Sequence, residues 1–144
     1  MYPFYLELEL FKPVVDYLKK HGHVAKREIR IGFCRADIVA FKDGKVTAVE
    51  LKLNDWKKAI VQAKNYQLGT NYVYLAFPLM KSYNVLRKAE LILKKEGIGL
   101  LTVNEKTCKV CKIIDAVQSR RSMGTITLEE LKRNWKKLSK NKFL

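Results

Sequence analysis

The sequence predicts an α/β sandwich around a mixed sheet, and three observations carry that prediction. Asp43-Gly44 stands between two apolar stretches, the mark of a tight hairpin whose turn needs positive φ angles. Tyr72–Phe77 and Ile98–Val103 are apolar runs of the kind found in strands buried on both faces. The order of segments, a helix, a hairpin, then alternating helix and strand, is that of helices packed on a sheet.

Residues 4–21 read as a helix, with Leu6, Leu10, Phe11, Val14 and Leu18 at helical spacing, Pro3 as a start and Gly22 as the stop. Pro13 inside this span should kink the helix or mark a second start. Strands follow at 24–31, 35–41 and 46–53. Asn54 is the expected N-cap of the next helix, whose apolar face is Trp56, Ala59, Ile60 and Ala63 and which Gly69 closes. Pro78 stops the strand 72–77, and Ser82 is the expected cap of a helix over 83–96 ending at Gly97. Strands are expected at 98–103 and 108–114. Thr127 and Glu130 form a capping box that opens a final basic helix, about 127–140.

The 144 residues make one domain, with a core over about 5–114, since 48% hydrophobic and 30% charged residues suffice for a single core. The charge is unusual: 29 Lys and Arg stand against 14 Asp and Glu, a net charge of +15. Such an excess favours a polyanion, because neutralising phosphates releases condensed counterions. A lysine-rich solvated surface is the alternative. No stretch approaches the roughly 20 apolar residues of a membrane span. The first ten residues carry Glu7 and Glu9 and no basic leader, so they do not read as a signal peptide. Three cysteines fit a reducing cytoplasm rather than a disulfide framework.

The chemistry concentrates in Arg35-Ala36-Asp37-Ile38-Val39-Ala40-Phe41 and Val49-Glu50-Leu51-Lys52. In the third strand Val46, Ala48, Glu50 and Lys52 share one face, and Thr47, Val49, Leu51 and Leu53 the other. Both faces are mainly apolar, so the strand is central, and a carboxylate and an ammonium at its end need partners or a ligand. The hairpin sets Asp37 near Glu50. Two close carboxylates repel unless a cation lies between them. Mg²⁺ suits the place, since it takes one or two carboxylates, keeps waters and accepts phosphate oxygens. Lys52 would then act on the attacking water or on the transition state. A buried Asp37–Lys52 or Glu50–Lys52 ion pair without catalysis is the competing reading.

Asp37, a hairpin and then Glu50-Leu51-Lys52 resemble the signature of the PD-(D/E)xK nuclease superfamily, which includes Holliday-junction resolvases and many restriction enzymes. The order of elements agrees over about residues 5–105, although Ala36 stands where the signature has proline. The resemblance implies a restriction-endonuclease-like three-layer α/β/α sandwich that hydrolyses phosphodiester bonds with Mg²⁺ or Mn²⁺. Asp37, Glu50 and the Leu51 carbonyl would hold the metal, and Lys52 would be the catalytic lysine. Many members add a first-helix glutamate. Glu7, whose helical neighbours are Leu10, Phe11, Val14 and Leu18, fits better than Glu9, whose neighbours are Lys12, Pro13, Asp16 and Lys20. Gln62-x-x-x-Tyr66 resembles the Gln…Tyr element of some members, its amide and phenol on one helix face where they could meet DNA or the site; an ordinary amphipathic helix with a core tyrosine is the alternative. Gly97-Ile98-Gly99-Leu100-Leu101 resembles a helix-to-strand junction of this fold.

Arg35, Lys57, Lys58, Lys64, Tyr66, Arg120 and Arg121 are the expected DNA contacts, with a solvated surface as the alternative for the basic loop and last helix. Cys108-x-x-Cys111 with His21 and His23 makes a poor zinc site, and semi-buried thiols account for it better. The sequence thus points to a metal-dependent endodeoxyribonuclease of DNA repair or recombination, acting on branched or junction DNA as a homodimer, with no small-molecule cofactor. An inactive nucleic-acid-binding module of the same fold and an RNA nuclease are the alternatives.

Overall fold

A computed structural model describes residues 4–31 and 34–119. They build one six-stranded sheet in the order β1 to β6: β1 (Val24–Ile31), β2 (Cys34–Lys42), β3 (Lys45–Leu51), β4 (Tyr72–Pro78), β5 (Gly99–Val103) and β6 (Val110–Ile114). The β1–β2, β2–β3 and β5–β6 pairs are antiparallel, and β3–β4 and β4–β5 are parallel. The predicted mixed sheet is therefore present. Asp43 and Gly44 both have positive φ, 50° and 75°, and they form the two-residue turn that pairs Lys42 with Lys45.

Helices cover both faces. Helix α1 (Phe11–Lys20) lays Leu10, Val14 and Leu18 on Ile38, Val49, Leu51 and Leu101. Helices α2 (Trp56–Gln67) and α3 (Leu79–Glu96) lie on the opposite face. There Ala59, Ala63, Val85 and Leu93 share a core with Ala48, Leu75, Phe77 and Leu100. Both β–α–β crossovers advance in the same direction along the sheet, so a common handedness puts their helices on one side. No helix among the described residues is long and apolar enough to cross a membrane.

Several boundaries differ from expectation for local reasons. The first helix is divided: Glu7–Leu10 is a 3-10 turn, and α1 begins only at Phe11. Pro13 then occupies the first turn of α1, where its missing N–H forfeits no hydrogen bond and no kink is required. The cap of α2 is Asp55, not Asn54; its φ is 59° and its carboxylate accepts the Lys58 N–H at 3.2 Å. Helix α3 starts at Leu79, directly after Pro78, and Ser82 instead donates its hydroxyl back to the Pro78 carbonyl at 2.9 Å. Cys108 lies in the turn before β6 with φ 60°, and Cys108 and Cys111 are exposed rather than semi-buried. The predicted helix 127–140 lies outside the described residues.

Gly99 marks a close approach. A Cβ there would enter the ring of Tyr74 and come within 2.8 Å of the Ala116 amide nitrogen. Gly99→Ala is expected to lower stability by about 1–3 kcal/mol, as overpacking does, read from urea denaturation midpoints.

Candidate active site

The hairpin register assembles the centre of the site. Ile38 pairs with Val49, so one further step along the ladder sets Asp37 opposite Glu50. Asp37 Oδ2 accepts the Leu51 N–H at 2.8 Å, which ties the carboxylate of β2 to the end of β3. Glu50 is buried, at 4% exposure, and faces α2, where the Tyr66 hydroxyl lies 2.7 Å from its Oε1 and 3.0 Å from the Arg35 carbonyl oxygen. Lys52, at 8% exposure, brings its ammonium to 3.6 Å from Glu50 Oε2, while its backbone N–H joins the Ala76 carbonyl on β4.

The two carboxyl groups lie close enough for each to feel the other. Burial first, and then the charge of Asp37, pushes Glu50 up to about 7 against the pull of Tyr66 and Lys52. Asp37 is also raised, chiefly by burial, with the Leu51 N–H opposing and the charge of Glu7 adding to it. Without a cation the pair relieves its repulsion by holding a proton.

Glu7 and Glu9 separate here. One oxygen of Glu9 accepts both the Tyr5 and Leu6 N–H groups at 2.8 Å, so Glu9 caps the 3-10 turn. Glu7 is the acid whose field reaches Asp37. It does so from an exposed turn that touches β3 and β4, not from the buried helical stripe the spacing suggested. Gln62 is half-buried one helical turn before Tyr66, and its Oε1 is buried with no hydrogen-bond partner among the described residues.

Other expected positions fare differently. Tyr66 is only 1% exposed and cannot meet DNA; it holds Glu50. Its placement at i+4 from Gln62 was visible in the sequence, but its aim across the sheet was not. Lys64 points to the end of α3, 3.8 Å from Glu96 Oε2. Lys57 and Lys58 are exposed at the start of α2, with the Lys57 ammonium 5.6 Å from the Trp56 ring centroid, and Arg35 is exposed on β2. Arg120 and Arg121 lie outside the described residues. His21 Nδ1 contacts the Tyr17 carbonyl at 2.9 Å, and it does not gather with the two cysteines around a common point.

No protein-family model and no curated protein matches this chain. Solved structures do. An XisH family protein from Nostoc punctiforme PCC 73102 superposes with a TM-score of 0.56 at 21% identity, covering 74% of this chain and 99% of the other. An fdxN element excision controlling factor from Anabaena variabilis gives 0.55 at 23% identity, with the same coverage. The likeness is one of fold: the restriction-endonuclease-like α/β sandwich with its mixed six-stranded sheet.

The donor set suits a hard divalent cation. No group of three or more His, Cys, Asp and Glu side chains encloses a point among the described residues. Two neighbouring carboxylates are the pattern Mg²⁺ accepts, its remaining places taken by water and substrate. Tyr66→Phe tests the support of that pair. Losing the phenol hydrogen bond is expected to lower stability by about 1 kcal/mol and metal affinity by roughly 10- to 100-fold, measured by Mg²⁺ titration of the denaturation midpoint.

Proposed function

We propose that the chain is a metal-dependent endodeoxyribonuclease that hydrolyses phosphodiester bonds in DNA. The observation that carries this reading is the setting of half-buried Asp37, tied to the Leu51 N–H, beside buried Glu50 and its Lys52 partner, in a strongly basic chain. Asp37, Glu50 and the Leu51 carbonyl would hold Mg²⁺ or Mn²⁺, with Glu7 able to add a ligand through water. When bound, the ion supplies Lewis acidity at the scissile phosphate and a more acidic water. Tyr66 keeps the Glu50 carboxylate turned toward Asp37, and the Leu51 N–H fixes Asp37. Lys52 places a cation where it can orient the attacking water or meet the charge growing on the phosphate. Arg35, Lys57 and Lys58 offer phosphate contacts at the same end of the sheet.

A role in DNA repair or recombination, on branched or junction DNA, belongs to the same reading. A neighbour of the same fold is an excision controlling factor, which accords with a DNA transaction. Cutting both strands would call for a two-fold dimer, and a cytoplasmic enzyme fits the free exposed thiols of Cys108 and Cys111.

The test is cleavage of duplex, single-stranded, flap and four-way-junction DNA in Mg²⁺, Mn²⁺ or EDTA, beside Asp37→Ala, Glu50→Ala and Lys52→Ala. Metal-dependent cutting lost in all three variants is the expected result. Salt-sensitive binding without cutting of any substrate would leave a DNA-binding module instead.

A further inference from the structure

Three large apolar side chains stand exposed on the segment that leads into α1. Tyr5 is 74% exposed, and Leu6 and Leu8 are each 62% exposed. Scattered apolar residues on a surface are ordinary, but a cluster on one short segment marks a contact site. The segment is also held in place: Glu9 accepts two of its N–H groups, and Leu10 behind it is fully buried in the core under α1. Leu6 and Leu8 flank Glu7, whose charge reaches Asp37, and the turn packs against β4 and against β3, the strand that carries Glu50. The apolar rim and the carboxylate pair therefore belong to one surface.

Charge decides what meets this rim. Arg35, Lys57 and Lys58 are exposed on the elements that form the site, and the chain carries +15 overall. So basic a chain draws in a polyanion. The part of a polyanionic nucleic acid that seeks an aromatic ring and two leucines is the face of a base, and a stacked, paired base keeps that face covered.

We propose that Tyr5, Leu6 and Leu8 receive an unstacked base, so that the preferred substrate is DNA with an unpaired nucleotide near the scissile phosphate. This rests on the nuclease reading above and adds the substrate class to it. The base can come from a bulge, a mismatch or a branch point. Tyr5 would stack on it, while Leu6 and Leu8 fill the gap it leaves. The site then receives a backbone already opened at the phosphate to be cut.

The test compares otherwise identical duplexes, fully paired, mismatched, with a single-nucleotide bulge, and branched. Binding is read in EDTA and cleavage in Mg²⁺. Wild type is expected to bind the unpaired-base substrates about tenfold more tightly than the paired duplex, within the range of one base–aromatic stack. Tyr5→Ala with Leu6→Ala and Leu8→Ala should erase that preference and keep the affinity for paired DNA. Because these side chains are exposed, folding should survive; the single Tyr5→Ala variant, probed by quenching of 2-aminopurine at the bulge, provides an independent reading. Which of the three defects is preferred identifies the source of the base. A preference that persists in the triple variant, or one absent from wild type, overturns the proposal. So does a triple variant whose only change is a shift from dimer to monomer, which would make the rim a subunit contact. Equal cutting of paired and unpaired DNA would sink the rim and leave the nuclease standing; a bulge preference without cutting would do the reverse.

Discussion

Glu50→Gln is expected to be more stable than the parent in EDTA at pH 8, by up to about 3 kcal/mol, while cutting DNA about a thousandfold more slowly. The stability argument follows from the raised carboxyl of Glu50, about 7 in the folded chain against an ordinary 4.5. The folded state holds that proton more tightly than the unfolded state. The resulting stabilisation is fully present below pH 4.5 and is lost as pH rises through about 7. Glutamine has no proton to lose, so the two proteins should match near pH 5 and diverge toward pH 8 in urea denaturation. Parallel curves across that range would mean that neither burial nor Asp37 raises the Glu50 carboxyl in the folded chain. The kinetic loss follows from removing a proposed metal ligand, because several kcal/mol of charge stabilisation amount to about three powers of ten in rate. Added Mg²⁺ should stabilise the parent at pH 8 more than the variant.

Lys52→Met should move stability the other way. Lys52 is buried beside Glu50, and its charge draws both carboxyl groups down. With a chain of similar length and no charge in its place, the carboxylates at pH 8 lose their neighbouring cation, at about 3–5 kcal/mol for a broken buried pair. Near pH 5 Glu50 carries its proton, and most of that penalty should vanish. Cleavage should fall by about three powers of ten, yet Mg²⁺ should still raise the denaturation midpoint, since Asp37 and Glu50 remain. A Lys52→Met protein as stable as the parent at pH 8 would show that the ammonium does not compensate the pair. Loss of cleavage together with loss of Mg²⁺ stabilisation would assign Lys52 to the metal's support rather than to the reaction.

The sheet and the pairing of Asp37 with Glu50 were legible in the sequence because they depend on local rules. Asp43-Gly44 specifies a two-residue turn, the turn fixes the register, and the two-residue period then orients Glu50 with Val46 and Ala48. What depended on long-range placement was harder to read. For Tyr66 the spacing left DNA, the site and the core all open, and the packing of α2 on the sheet is what aims it at Glu50. Lys64 looked like a partner of Lys57 and Lys58 until the end of α3 brought Glu96 to it. Glu7 was chosen on a helical periodicity that the backbone does not follow there. The separation from Glu9 comes instead from a cap, a signal present in the sequence as an acid three residues beyond Leu6. Asp55 displaced Asn54 as the α2 cap by one residue, within the reach of any reading that cannot see a left-handed φ.

The strand order has a consequence for how the molecule comes into being. Each strand pairs with the one before it along the chain, so the sheet can grow from one edge as synthesis proceeds, and no strand must be threaded between two already joined. Such near-neighbour pairing favours fast folding and leaves few routes to misassembly. The exception is α1, the first helix made, which touches β6, the last strand of the sheet. A nascent chain halted before β6 would carry Asp37, Glu50 and Lys52, but the ground on which α1 rests would be incomplete. The turn bearing Glu7 and the apolar rim would lack its full anchorage. Completion of the proposed cutting surface would then coincide with arrival of β6, making it a single late event in biogenesis rather than a property gained piece by piece.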